Sequence, residues 1–395
     1  MRKTWPDIRT YRPENTVKWV PSGEPFFKAL FKIISEAKEI LHFQFYIFDD
    51  DEIGMQTIEL LIKASDRDVK VFVVVDAFGS NGLSRHQEVE MRKAGINFRR
   101  FAPLVENKFI FIGRRLHHKI VVADNKISLV GGINIADKYH GSKDEPAWVD
   151  YAVIVEGDLS FQLARVCSRI WHKQFDAKVW FKRKPVKKSN RIEHGTMLVR
   201  MRENDRLRGK NSISISHRQA IKTARESINI VGSYFLPSTR FRYLLKRAVK
   251  RGVKINILLT DISDVPFVKN GTRYLYSWML RNNIRFYEIE NRMLHGKAVV
   301  VDDVWTTIGS YNINVLSVYN NVECNIDIID EDFAKDFNKH LYHIMEHQSK
   351  EITKENFERT NTAWNRLSDW TSYQILRLIG KILLFFTHKI SGDEE

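Results

Sequence analysis

Apolar positions along this chain alternate between two periods, and the alternation is run through twice. Phe27, Leu30, Phe31 and Ile34 recur three and four residues apart, which predicts a helix over Glu24 to Glu39. Ile40 to Phe48 is mainly apolar and aromatic, the pattern of a buried strand. A helix over about Ile53 to Ser65, a strand at Val69 to Val75, a helix near Arg85 to Ala94 and a strand near Ile96 to Phe101 follow. Two further strands are predicted at Leu116 to Val122 and Ile127 to Val130. The order then repeats. Helices are expected at His217 to Ser227, Phe241 to Arg251 and Asn270 to Arg281, and strands at Ile228 to Phe235, Val253 to Leu259 and Ile284 to Ile289, with another starting at Leu294. Alternating helices and strands predict an α/β sandwich in each half.

The two halves share a string of polar residues at corresponding places. His117-His118-Lys119 and His295-Gly296-Lys297 each open a strand, and each is followed by Asp124 or Asp302 at the same spacing. A small-residue turn and an asparagine come next, Gly131-Gly132-Ile133-Asn134 and Gly309-Ser310-Tyr311-Asn312. The period is domain-sized, far longer than the roughly 20–50 residues of a solenoid repeat. Two copies at one spacing point to a single active site assembled from two related halves. The expected division is 1–182 for the first domain, 183–211 for a basic linker, 212–350 for the second domain and 351–395 for a C-terminal helical tail. The linker opens on the run Lys182-Arg183-Lys184-Pro185-Val186-Lys187-Lys188, read either as a solvated connection or as a patch facing phosphates.

Alternate residues of a strand share a face, so His117 should point with Lys119, and His295 with Lys297, while His118 points away into packing. A histidine beside a lysine suits attack on a phosphodiester. The imidazole acts as nucleophile through a ring nitrogen. The ammonium stabilises the non-bridging oxygens as phosphorus becomes five-coordinate. Asn134 and Asn312 would add neutral amide donors, and Gly132 and Ser310 allow close backbone approach. With two copies facing each other, one histidine attacks and the other protonates the leaving alkoxide. This arrangement calls for no metal and no cofactor.

The second ring nitrogen of each histidine needs a fixed partner, normally a carboxylate. Trp148-Val149-Asp150 follows the first string and Asn321-Val322-Glu323 the second, so Asp150 is expected to orient His117 and Glu323 to orient His295. Asp124 and Asp302 complete the string and are counted with the catalytic set. Their odd offset from the lysines turns them away from a phosphate and suggests that they anchor strand ends. Asp49-Asp50-Asp51 reads as a helix cap and solvated loop rather than a metal cluster.

Composition adds a partner. The 395 residues carry a formal net charge of +15, which predicts an anionic surface, either membrane or nucleic acid. The basic residues Arg99, Arg100, Arg114 and Arg115 suit either. Two cysteines, Cys167 and Cys324, with no paired spacing, fit a reducing compartment. The polar stretch Met1 to Val20 has no apolar region of a signal peptide or anchor.

The paired HxK(x)4D strings resemble the phospholipase D superfamily, and the likeness extends over about residues 20–350. It is greatest to the bacterial cardiolipin synthase branch, carried by Phe45-Tyr46-Ile47-Phe48, Asp76-Ala77-Phe78-Gly79-Ser80, Gly131-Gly132-Ile133-Asn134, Ser233-Tyr234-Phe235-Leu236-Pro237 and Asn321-Val322-Glu323. Ser233 stands where that branch has proline, and His118 where it commonly has arginine. The resemblance implies two α/β domains packed on a pseudo-two-fold axis around one shared site. It implies a phosphatidyl-histidine intermediate and transfer to the glycerol hydroxyl of a second phosphatidylglycerol, making cardiolipin and releasing glycerol. A phospholipase D-type hydrolase and a metal-independent nuclease are the alternatives within the same chemistry.

The tail from Trp364 to Ile390 is helical in pattern, with apolar positions interrupted by Arg377, Lys381, His388 and Lys389. Its uninterrupted apolar stretch is far below the roughly 20 residues that span a bilayer. Either it lies in a membrane interface or it docks on the protein. The expected partners are phosphatidylglycerol and an anionic membrane surface, with nucleic acid the weaker reading and no obligate protein partner. The expected place is the cytoplasmic face of the cell membrane, held peripherally.

Overall fold

The computed structural model describes residues 8–103, 105–106, 109–110, 114–172, 197–205, 208–314 and 321–390, with 105–106, 109–110 and 381–390 described by backbone alone. The run Lys182 to Lys188 lies outside the described residues.

The first half runs β1 (Arg12–Pro21), α1 (Glu24–Glu36), β2 (Ile40–Phe45), α2 (Glu52–Asp66), β3 (Lys70–Asp76), α3 (Arg85–Lys93) and β4 (Asn97–Phe101). A small hairpin, β5 (Val105–Glu106) and β6 (Phe109–Ile110), precedes β7 (Arg115–Leu116), β8 (Lys119–Ala123), β9 (Ile127–Gly131), α4 (Asp137–His140), β10 (Tyr151–Gly157) and α5 (Asp158–Trp171). The second half runs β11 (Met197–Asp205), β12 (Lys210–Asn211), α6 (Ser212–Thr223), β13 (Ser227–Gly232), α7 (Thr239–Lys250), β14 (Lys254–Ile262), α8 (Pro266–Arg273), α9 (Tyr276–Arg281) and β15 (Arg285–Met293). It closes with β16 (Lys297–Val301), β17 (Trp305–Gly309), β18 (Asn321–Ile329), α10 (Glu331–His347), β19 (Ser349–Glu351), α11 (Lys354–Thr360) and α12 (Ala363–Ile390).

Strand pairing makes the internal repeat explicit. The first half is ordered β4-β3-β2-β8-β9-β10-β1, with β2, β3 and β4 parallel and the rest antiparallel. The second is ordered β15-β14-β13-β16-β17-β18-β11 in the same senses, with β19 added beside β15. The two sheets meet where β1 pairs with β11, Arg12 opposite Val199 and Asn15 opposite Met197. These are the two α/β sandwich domains the repeat implied. One correction concerns the boundary. Residues 197–205, expected within the linker, are a strand of the second sheet and its seam with the first. Arg202 of β11 and Asp327 of β18 pair at 2.9 Å, and a buried ion pair breaks the apolar alternation by which a strand is recognised. A second correction is that the helix expected over Asn270 to Arg281 is broken into α8 and α9.

Both faces of each sheet are covered, which is why the central strands are apolar in both directions. In β8, Val121 packs with α1 and α2, whereas Ile120 and Val122 face α5. In β16, Val299 and Val301 pack with α6 and α7, whereas Ala298 and Val300 face α10. The core containing α5 and α10 takes residues from both halves, so the halves are fused through a shared interior. Among the described residues no helix is long and apolar enough to cross a membrane.

Candidate active site

His117 and His118 precede β8 instead of lying in it, and their position is set by the other half of the molecule. β7 runs parallel to the start of β18, with Leu116 opposite Val322. The backbone N–H groups of His117 and His118 both donate to Val322 O at 3.0 Å. Asp76 steadies the same segment by accepting the Leu116 N–H at 2.8 Å. The second half repeats the arrangement. Leu294 bridges Val149, and the N–H groups of His295 and Gly296 donate to Val149 O at 2.8 and 2.9 Å. Each histidine loop is therefore docked one residue before the carboxylate of the opposite half.

The consequence corrects the assignment made from sequence. His117 Nδ1 lies 2.9 Å from Glu323 Oε2, and His295 Nδ1 lies 2.6 Å from Asp150 Oδ2. The structure brings both carboxylates to the histidines, but the pairing is crossed: Glu323 holds His117 and Asp150 holds His295. A carboxylate can only accept, so in the neutral imidazoles Nδ1 carries the proton and Nε2 keeps its lone pair.

The two carboxylates are held differently. Glu323 accepts from Ser310 Oγ at 2.5 Å and from Asn321 Nδ2 at 3.1 Å. Asp150 accepts from the Tyr151 N–H at 2.7 Å. Gly132, the counterpart of Ser310, leaves no room for a side chain, since a Cβ there would stand 2.3 Å from Asp150 Oδ1. The same turn position thus donates a hydroxyl in one half and clears space in the other.

Lys119 and Lys297 are 2% and 3% exposed. Lys119 Nζ donates to His117 O at 2.5 Å. Lys297 Nζ donates to His295 O and lies 2.8 Å from His295 Nδ1 and 3.9 Å from Asp150 Oδ2. Burial, and then the charge of Lys297, push Lys119 down to about 7. Burial pushes Lys297 down to about 8 against the pull of Asp150 and Glu323. Burial and then Lys297 push His295 down to about 3. Burial lowers His117 as well, opposed by Glu323. Burial alone would raise both carboxylates, yet His117 holds Glu323 below the ordinary range and Lys297 does the same for Asp150. Lys297 acts on His117 and Lys119 acts on His295, so the two strings form one electrostatic unit. The unit has neutral imidazoles, two carboxylates and two buried cations that are easily discharged. A bound phosphodiester would add a negative charge that keeps those cations protonated.

The remaining expected residues divide. Asn134 accepts from the Ile47 N–H at 3.1 Å and donates to Tyr139 Oη at 2.8 Å, bracing an aromatic side chain that stands 5.3 Å from His295. Asn312 accepts from Ser233 Oγ at 3.4 Å. Asp124 and Asp302 are displaced from the catalytic set. Asp124 accepts the N–H groups of Lys38, Glu39 and Ile40, and Asp302 those of Arg225, Glu226 and Ser227, at 2.8–3.0 Å. They close the start of β2 and of β13 at the far ends of β8 and β16, in left-handed turns with φ of 53° and 55°. His118 is buried against Gln44 Oε1 at 2.8 Å, the packing role expected of it. Asp51 caps α2 through the Gly54 N–H at 3.1 Å.

Sequence reasoning gave no role to the aromatic wall. Tyr46 lies 4.9 Å from the His117 ring and 5.2 Å beneath Lys119 Nζ. Tyr234 lies 6.2 Å and Trp148 6.0 Å from His295. The usable signal was that Tyr46 and Tyr234 stand just after the corresponding strands β2 and β13. The arginines read as a substrate patch are engaged within the protein. Arg114 grips Asp205 at 3.2 and 2.6 Å, Arg100 holds Glu88 at 3.0 Å and the Ser80 and Leu83 carbonyls, and Arg115 donates to Ala102 O at 2.8 Å.

Two pseudo-equivalent α/β domains, each giving a His-Lys pair to one buried site and a carboxylate to its neighbour's histidine, define an enzyme of the phospholipase D superfamily. The family model described as cardiolipin synthase, phospholipase D-like domain, matches residues 30–171 and 217–345, and the chain belongs to that family. Its activity is transphosphatidylation of the cardiolipin synthase type. Cardiolipin synthase B of Escherichia coli (strain K12) is 31% identical over 379 residues, covering 93% of this chain and 89% of that protein. Cardiolipin synthase 1 of Bacillus cereus is 28% identical over 386 residues, covering 93% of this chain and 72% of that one. Among solved structures, the phosphatidylserine synthase of Haemophilus influenzae Rd KW20 shares the fold with a TM-score of 0.70 at 13% identity, over 92% of this chain and 94% of that chain.

Proposed function

We propose that the protein joins two phosphatidylglycerol molecules into cardiolipin, with glycerol released, at the cytoplasmic face of an anionic membrane. His117 Nε2 attacks the donor phosphorus, and the P–O bond to the donor's glycerol headgroup breaks. The step requires His295 in its imidazolium form, which the charge of the bound phosphodiester favours over the empty site; its Nε2–H then gives its proton to the departing glycerol oxygen, leaving the neutral imidazole for the second step. Lys119 and Lys297 hold the non-bridging oxygens while their charge grows, helped by Asn312. The glycerol hydroxyl of a second phosphatidylglycerol then loses its proton to His295 and attacks the phosphatidyl-histidine, and the P–N bond breaks. His117 is given the nucleophile's part because Glu323, which fixes it, is itself pinned by Ser310 and Asn321.

The observation that carries this reading is the pair of oriented histidines around two buried, mutually repelling lysines. Burial of those cations favours an anionic, partly lipid-embedded substrate over a strand of DNA lying on a surface, and Arg114 and Arg100, read as suiting either substrate, are already paired. The test incubates purified protein with phosphatidylglycerol vesicles and, separately, with plasmid DNA, without added metal. Cardiolipin and glycerol are the expected products. Phosphatidic acid as the main product would mean that water replaces the acceptor alcohol, and nicked DNA without lipid turnover would overturn the reading. Digestion at alkaline pH, where a P–N bond survives, of protein trapped with labelled donor lipid should place the phosphoryl group on His117; recovery on His295 would exchange the two roles.

A further inference from the structure

α12 has two unlike faces. Tyr373 and Leu376 are buried against Leu236, Leu275, Phe267 and Val268. Leu376 comes so near α8 that a Cβ on Gly271 would stand 2.6 Å from its Cδ1. Asp369 pairs with Arg273 at 3.2 Å, and Asn270 bonds Ser368 at 3.4 Å. The helix is thereby fixed along α8. Turned away from it, Trp364 is 77% exposed, Leu378 56%, Leu367 53%, Trp370 46% and Ile375 45%. At about 100° per residue, Trp364, Leu367, Ile375 and Leu378 fall within a stripe roughly 80° wide. Soluble surfaces rarely leave so many large apolar side chains in one line unless something covers them.

Charge identifies the cover. Between 363 and 380 the helix carries one carboxylate, Asp369, already held by Arg273. Arg366 and Arg377 are exposed on the same helix, on the flank of Trp370, on a chain of net charge +15. Tryptophan favours the headgroup boundary of a bilayer, and exposed arginine favours anionic lipid there.

The helix is also tied to the active site. Leu236, on which it docks, ends the segment Ser233 to Leu236, which spans at most about 11 Å. Ser233 Oγ donates to His295 O at 3.3 Å. Tyr234 bonds Asp264 at 2.5 Å, in the loop that enters α8. Ile262 and Val265 of that loop are exposed too.

We propose that the outer face of α12, continued by Ile262 and Val265, lies in the headgroup–acyl boundary of an anionic phospholipid bilayer. Docked in this way, it holds the second-half side of the active site against the surface that supplies substrate. The proposal rests on the lipid reading above and adds the surface by which the enzyme meets lipid.

The test uses the full chain and vesicles of phosphatidylcholine with or without phosphatidylglycerol. Tryptophan fluorescence of the unaltered protein should be quenched by lipids brominated near the headgroup, and only when phosphatidylglycerol is present. The triple variant Trp364→Ala/Trp370→Ala/Leu378→Ala should bind these vesicles at least about 100-fold more weakly. It should turn over dissolved short-chain phosphatidylglycerol within about twofold of the parent. Unchanged vesicle binding by a variant that melts like the parent would overturn the proposal, as would an unquenched parent protein that nevertheless binds. A variant that loses a concentration-dependent dimer but keeps vesicle binding would assign the face to a second copy and also overturn it. Quenched, α12-dependent binding by a protein that transfers no phosphatidyl group would uphold the surface and remove only the substrate reading.

Discussion

The crossed pairing of carboxylate and histidine yields a prediction in which each half is perturbed separately. Glu323→Gln keeps the shape of the side chain and removes its charge 2.9 Å from His117 Nδ1. A unit charge pair about 4 Å apart at an effective dielectric of about 20 is worth ~4 kcal/mol, an upper bound on what the carboxylate gives a developing imidazolium. That energy corresponds to a rate loss of about 10²–10³ in kcat, given that part of it is lost to rearrangement of Ser310 and Asn321 around the new amide. Asp150→Asn should cost a comparable factor through His295. Activity alone cannot tell crossed from uncrossed pairing, so the decisive assay is side-chain nitrogen NMR of the histidines. The signals are assigned with His117→Gln and His295→Gln. Glu323→Gln should move the ring nitrogens of His117 and change its tautomer balance while leaving those of His295 nearly in place. Asp150→Asn should do the reverse. If Glu323→Gln moved His295 and spared His117, the pairing and the account of how the loops dock on Val322 and Val149 would both be refuted.

Three further outcomes follow from the same site. The ammonium charges of Lys119 and Lys297 are lost as pH rises through about 7 and about 8, so kcat/KM should fall above that range, whereas kcat should fall later because bound phosphate holds the protons on; a kcat/KM still climbing at pH 9 would contradict the assignment. Gly132→Ala should lower kcat by about 10²-fold by displacing Asp150, and Ser310→Ala by about 10-fold through one lost charged hydrogen bond, both read by steady-state assay with melting temperature as control. Asp124→Ala and Asp302→Ala should each destabilise the fold by about 1–2 kcal/mol in urea titration while kcat stays within about twofold; a large drop in kcat with unaltered stability would return them to the catalytic set.

The repeat, the alternation of helices and strands and the two α/β domains could be read from the chain, as could the histidines, lysines and carboxylates that the structure gathers at one place. The partnership of those residues could not. Strand periodicity places His117 beside Lys119, but it says nothing about a backbone contact between Leu116 and Val322, which are far apart in sequence and carry no distinctive side chains. That contact decides which carboxylate each histidine meets. Asn134 shows a related limit, because a sequence shows its amide but not the Tyr139 hydroxyl to which it donates. β11 escaped notice because its buried positions include Arg202, paired with Asp327 of the neighbouring strand β18. The arginines were overread as a binding patch, since composition counts their charges and cannot see Asp205 or Glu88.

The exchange of carboxylates makes competence conditional on completion. A nascent chain that has folded only as far as α5 holds His117 and Lys119 but has neither Glu323 to fix the imidazole nor Val322 to seat its loop. It also carries Asp150 with no histidine to face it. The second half made alone would be short in the mirror-image way. The complete set of contacts around each histidine appears only when the last-made strand of the site closes on the first-made. The fold thus acts as its own interlock: neither half alone holds a histidine with its carboxylate.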